Sequence, residues 1–252
     1  GAIPIMTMQA GMAAALDPRL IHPDAADDPE SKLNTSVKKI AEIYKADDGM
    51  KSTQAIFTDS AKPFNMYFLE QFNGNPLGED VGYDPEGRAP KLTNEFNFVD
   101  ELKAKLIAQG IPAKEIAVIN GSVAQKKRKA IFDKVNTGEI RIVIGSTETL
   151  GVGVNIQERL RALHNLTPPR SFKPADMEQR IGRILRQGNL HYDEDIPIEI
   201  YNYGVEGSMD SALYNLMAKK QSFINQVLSG SIDGNSFDDP GDEVSMSMEE
   251  MA

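Results

Sequence analysis

The chain has no cysteine. That excludes a disulfide framework and a zinc–thiolate site, and it fits a reducing cytoplasm, which is the expected location. There are only three histidines, His22, His164 and His191, and their spacing matches no metal-ligand pattern. No metal site is therefore expected. No run of about 18 apolar residues occurs, so no membrane-spanning helix is expected. The opening GAIPIMTMQAGMAAA is weakly apolar but has no basic leading region, so it does not read as a signal peptide. It also lacks an initiator Met, as expected of an excised fragment or of a tag scar. Internal repeats are absent, as are paired carboxylates or a Ser/His/Asp set that would build a complete hydrolytic site.

Two further absences bear on nucleotide chemistry. A phosphate-cradling loop needs Gly-x-x-x-x-Gly-Lys-Ser/Thr, and the sequence contains no Gly-Lys dipeptide. Nor does a hydrophobic strand end in an acidic pair suited to Mg²⁺, because Asp193-Glu194-Asp195 precedes its strand. The chain by itself is thus not expected to hydrolyse a nucleoside triphosphate.

Acid predominates overall, with a net charge of −10, but the charge is unevenly spread. Residues 233–252 hold seven acids and no Lys or Arg, whereas residues 121–190 hold thirteen Lys/Arg against six Asp/Glu. A basic middle in an acidic chain is a footprint suited to phosphates, or a solvated face balanced elsewhere.

Periodicity places the elements. Residues 1–30 are rich in Asp, Pro and Ala and read as an irregular arm. Leu33, Val37, Ile40, Ile43 and Tyr44 recur at helical spacing over 31–46, with Ser31 as N-cap. QAIFTDS (54–60) reads as a strand, and the aromatic, Gly/Pro-rich stretch 61–92 as an insertion. A helix is expected over about 94–109, stopped by Gly110-Ile111-Pro112. A strand at 115–119, a basic helix at 123–135, a buried strand at 141–146, a strand at 162–166, a helix at 175–187, a strand at 197–203 and a helix at 209–228 follow. The tail 231–252 is acidic, without periodicity, and expected to be disordered. Strands separated by helices predict an α/β three-layer domain over 31–230 with a mostly parallel sheet. Ligands of such sheets lie at the carboxyl ends of the strands, here the loops after residues 59, 119, 145 and 166.

One stretch stands out, MEQRIGRILRQG (177–188). On a continuous helix, about 100° per residue sets Arg183 about 60° and Arg186 about 120° behind Arg180. The three guanidiniums then share one face, with Ile181, Ile184 and Leu185 packing the other. Guanidinium forks suit phosphate oxygens. Gly182 in mid-helix costs about 1 kcal/mol relative to Ala, which is understandable if something approaches the backbone there.

Taken together, these segments are recognisable. Gln179-Arg180-Ile181-Gly182-Arg183-Ile184-Leu185-Arg186 resembles motif VI of superfamily 2 helicases. IGSTETLGVGVNIQ (144–157) resembles motif V, QAIFTDS motif IV, and 118–139 the stretch between them. Gly151–Asn155 and Arg186-Gln187-Gly188 are similar to the SWI/SNF-type translocase branch. The chain also looks like the helicase portion of phage and mobile-element helicase–DNA methyltransferase fusions.

The resemblance implies the second RecA-like lobe of an ATP-dependent DNA motor. It implies arginine fingers at Arg183 and Arg186, supported in the nucleotide cleft by Gln179, Arg180, Gly182, Gly151, Gly153 and Asn155. Asp59, Ser60, Asn120, Gly121, Ser122, Ser146 and Thr147 take the places that touch nucleic acid. ATP and Mg²⁺ would be held mainly by an upstream RecA-like lobe of the same polypeptide, with duplex DNA as partner and a methyltransferase domain as a possible neighbour. The family's small, glycine-rich run is replaced here by Thr147-Glu148-Thr149. The alternative is a non-catalytic nucleic-acid-binding or scaffold module on the same fold.

Overall fold

The structure is a computed structural model that describes residues 3–59, 61, 96–150, 154–169, 172–192 and 196–229. The expected insertion beyond residue 61, the acidic tail, Ser60, Gly151, Gly153 and Asp193–Asp195 lie outside them.

Five short, mostly buried runs form the sheet: β1 (Thr53–Phe57), β2 (Ile116–Ile119), β3 (Ile142–Gly145), β4 (Leu160–Asn165) and β5 (Glu199–Asn202). Their order is β2-β3-β1-β4-β5, and every neighbouring pair is parallel. Because side chains alternate across a strand, Ile56, Ile116, Ile142 and Ile144 enter one core. Ala55, Phe57, Ala117, Ile119 and Val143 enter the other. A sheet buried on both faces needs helices on both.

The first core is closed by α1 (Ile3–Leu16), α2 (Lys32–Ala46) and α3 (Phe98–Ala108). Ser31 caps α2 by accepting the Asn34 N–H at 3.2 Å, as its sequence position predicts. Asn97 caps α3 through the N–H groups of Val99 and Asp100. The second core lies under α4 (Gln125–Thr137) and the short α5 (Thr147–Leu150). Two further helices, α6 (Pro174–Ile181) and α7 (Met209–Ser229), complete the described chain. The three-layer α/β fold with a parallel sheet is therefore the one expected.

The first thirty residues differ from expectation. Most of them are not irregular: α1 buries Met12, Ala13, Ala15 and Leu16, and Ala has the strongest intrinsic helix preference. Its Ala and Met residues surround the axis, so no apolar stripe announced it. Gly11 lets α1 close on α7, since a Cβ there would stand 2.5 Å from Met209 Cγ. Arg19 then pins the following turn. It donates to both Asp17 oxygens and to Glu101 of α3, and its guanidinium lies over the Phe96 ring.

Candidate nucleotide and nucleic-acid site

A sheet with all strands parallel delivers every strand's carboxyl end to one edge. Here that edge gathers Asp59 after β1, Asn120 after β2, Ser146 after β3 and Thr167 after β4. The loops are tied to one another. Asp59 accepts the Thr147 backbone N–H on Oδ1 and the Thr147 hydroxyl on Oδ2, both at 2.7 Å. Its own N–H donates to Thr167 Oγ1 at 2.8 Å.

Arg180 completes this knot from α6. Nε donates to Thr147 Oγ1 at 2.8 Å and Nη2 to Asp59 Oδ2 at 3.0 Å. Nη1 donates to Asn165 Oδ1 and to the Thr167 carbonyl. The guanidinium sits over the Phe57 ring, with its side chain 0% exposed and that of Asp59 5%. Burial lowers the Arg180 pKa while Asp59 opposes that shift. Asn165 in turn donates to Asn202 Oδ1 of β5 at 2.8 Å, so the network reaches four of the five strands.

The arginine comb is accordingly not one helical face. Helix α6 ends at Ile181, and Gly182 is its C-cap. The next amides bond to carbonyls three residues back, Arg183 to Arg180 and Ile184 to Ile181. Such tight turns advance side chains by about 120° per residue rather than 100°. Arg180 is thereby left inside, while Arg183 and Arg186 emerge on a separate turn. Ile184 packs into the second core as predicted, but Leu185 is 49% exposed rather than buried. Gly182 also meets a local need: a Cβ there would stand 3.2 Å from the Glu178 carbonyl oxygen.

On the separate turn, Arg183 Nη1 donates to the Val154 carbonyl at 2.8 Å, and Arg186 Nη1 donates to Asn155 Oδ1 at 2.7 Å. Burial, and then the neighbouring Arg186 charge, lower the Arg183 pKa. Arg186 and Asn155 are exposed, and Gln179 is half-buried on α6. Two cations held on the segment 154–155 can present paired donors to an anion brought against this surface.

Of the expected nucleic-acid contacts, Asp59 and Thr147 spend their polar groups on each other and on Arg180. A carboxylate committed to internal donors and nearly excluded from solvent has nothing to offer a phosphate. Ser146 is half-buried, its N–H donating to Thr149 Oγ1, which itself donates to the Ile119 carbonyl. Asn120, Gly121 and Ser122 are exposed. Their loop is folded on itself: Ser122 donates N–H and hydroxyl to Asn120 Oδ1, and Arg128 donates to the carbonyls of Val123, Asn120 and Gly121. Glu148 is exposed and takes no part in the Asp59–Arg180 knot. Sequence reasoning missed Asn165, Thr167 and Arg128. The first two stand at a strand's carboxyl end, the one signal that pointed to them.

Residues 86–188 match the helicase conserved C-terminal domain. The matched segment contains Asn120–Ser122, Ser146, Thr147, Asn155 and the arginine turn, and it does not reach Asp59. Among curated proteins none matches the chain. Solved structures similar to it include the C-terminal part of the Fun30 ATPase domain, with a TM-score of 0.48 at 17% identity over 78% of this chain and 49% of that one. The Pyrococcus furiosus Hef helicase domain gives 0.43 at 16% over 73% and 28%. Domain 2 of the Mss116p DEAD-box helicase, bound to an RNA duplex, gives 0.46 at 14% over 75% and 55%. The chain thus spans about half or less of the length of the Fun30 and Hef chains. Likeness at this level carries nothing about substrate. The match over residues 86–188 and the parallel α/β sheet support a C-terminal RecA-like lobe.

Proposed function

We propose that the chain is the second motor lobe of an ATP-dependent DNA translocase of the SWI/SNF-like branch of superfamily 2, working on duplex DNA. ATP binds between this lobe and an upstream P-loop lobe. Arg183 and Arg186 reach its γ-phosphate and stabilise the charge that develops as it leaves. Gln179, Gly182 and the segment from Gly151 to Asn155 support them. Asn120, Gly121, Ser122 and Ser146 face the tracked backbone.

The observation that carries this reading is the separation of the comb. One arginine locks the strand-end loops together, while the next two are held outward on residues 154–155. Among the described residues no group of three or more His, Asp or Glu side chains could hold a metal ion. Mg²⁺ would be held mainly by the upstream lobe, and no step is routed through it. Residues of this lobe bind, orient and neutralise the phosphate; they do not activate the water.

The test is ATP hydrolysis by a polypeptide that joins this chain to its upstream lobe, with and without duplex DNA. Arg183→Ala is expected to lower DNA-stimulated turnover by about 10³ or more, the scale of a lost arginine finger. Equal turnover in the two proteins would refute the assignment. Robust hydrolysis by the 252-residue chain alone would refute the two-lobe reading.

A further inference from the structure

We propose that the exposed lysine face of α4, formed by Lys126, Lys127 and Lys129, binds the phosphodiester backbone of a nucleic acid beside the Asn120–Ser122 loop. The proposal rests on the nucleic-acid reading above and adds residues that none of the recognised segments assigns to a contact.

Helix α4 has two unlike sides. Val135 is buried, and Ile131 and Phe132 pack against the second core. Lys126, Lys127 and Lys129 are exposed and span roughly 160° of the helix surface centred near Lys126. Several other lysines are paired: Lys39 with Glu42, Lys51 with Asp48, Lys105 with Asp27 and Lys134 with Glu139. Among the described residues Lys126, Lys127 and Lys129 have no such partner. In a chain with 37 acids against 27 bases, these are three cations within four residues, with Asp133 the nearest acid along the helix.

Their position is also locally unfavourable. The first turn of α4 contains no acid, and Ala124 provides no side-chain cap. Cations at this end of a helix oppose its dipole. Sequences that break a local rule without local compensation do so most often at functional sites. Arg128, the fourth base of the run, is engaged otherwise, since it turns back onto the loop carbonyls. The three lysines thus remain as one outward patch.

The sheet topology fixes where the patch lies. β2 ends at Ile119, and the chain enters α4 through Asn120, Gly121 and Ser122. The amino end of α4 therefore stands at the same sheet edge as Ser146 and Thr147, which follow β3, the strand next to β2. Clustered point charges on flexible stems, next to exposed hydroxyl and amide groups, suit a phosphate backbone read without regard to sequence.

The experiment uses the 252-residue chain, fluorescent duplex DNA of arbitrary sequence, and anisotropy titrations across a salt series, with K126Q/K127Q/K129Q beside wild type. The variant is expected to bind more weakly at about 50 mM salt, and its slope of log K against log salt should be shallower by about 2.7, the share of three phosphate contacts. Its thermal midpoint should equal or exceed that of wild type, because cations leave the positive end of a helix. Unchanged affinity and slope would overturn the patch while leaving the nucleic-acid reading in place. Absence of duplex or single-strand binding by wild type would overturn both. A variant that keeps duplex binding but loses binding to polyglutamate would assign the face to an acidic protein and overturn the proposal.

Discussion

Asp59 and Arg180 lie 121 positions apart and meet in a buried ion pair at 3.0 Å. Removing one partner of such a pair leaves the other charged and desolvated. Arg180→Ala is expected to cost about 3–5 kcal/mol of stability, with Arg180→Lys recovering little, because an ammonium cannot serve Thr147, Asp59, Asn165 and Thr167 in one plane. Urea unfolding followed by circular dichroism measures both. A loss below about 1 kcal/mol for the alanine variant would show that the knot contributes little to the fold.

Gly145 closes β3 against α5. A Cβ there would stand 2.7 Å from Thr149 Oγ1 and 2.8 Å from Leu150 Cγ, both on buried residues. Gly145→Ala should therefore destabilise by about 1–3 kcal/mol through overpacking. The measurable outcome is a lower denaturation midpoint with the m-value retained. No shift in midpoint would mean that α5 yields without cost.

Lys32, in the first turn of α2, forms a buried ion pair with Asp210 at the start of α7. Burial lowers the lysine pKa and raises that of the aspartate, with each charge opposing the other's shift. Lys32→Met alone strands Asp210 and should cost about 3–5 kcal/mol, whereas Lys32→Met with Asp210→Leu should be neutral or stabilising. A double variant as unstable as the single one would show that the pair does more than cancel its own desolvation.

His164 is fully buried between β1 and β5. Gln54 donates its amide to the Ile40 carbonyl, so its Oε1 accepts from His164 Nε2–H at 2.9 Å, and Nδ1 accepts from the Tyr203 hydroxyl at 2.8 Å. This neutral tautomer uses both ring nitrogens. Burial pushes the imidazole from 6.5 down to about 3. Between those values the unfolded chain binds a proton that the folded chain does not. The contribution is therefore complete above about pH 6.5 and declines as pH falls towards 3, by up to about 1.4 kcal/mol per pH unit. Burial also lowers His191, which adds a slope of the same sign. Subtracting the profile of His164→Gln from that of wild type over pH 6.5–5 isolates the effect. Parallel profiles would mean that His164 is protonated in the fold.

Strands and amphipathic helices were legible because their apolar positions repeat at periods of two and 3.6, as in IVIG of β3 and Leu33–Ile43 of α2. What remained hidden followed from physics that periodicity does not encode. α1 has apolar residues around its whole circumference, so it carries no stripe. The comb looked continuous because arginine spacing says nothing about where a helix tightens; Gly182 was the only hint of its end. Asp59 looked like a surface residue because its partner Arg180 comes from another helix, and only the folded sheet brings them together.

The strand order has a consequence for how this chain is made. β1 lies in the middle of the sheet but comes first in sequence. Arg141, which introduces β3, follows Ser52 by 89 positions, and His164 of β4 follows Gln54 by 110. At roughly 5–20 residues per second of synthesis, β1 waits about 4–18 s for its first neighbour and longer for its second. During that interval the strand TQAIF has both edges open. The ribosome, more than the finished domain, sets the period in which this protein is most exposed to association with its own kind.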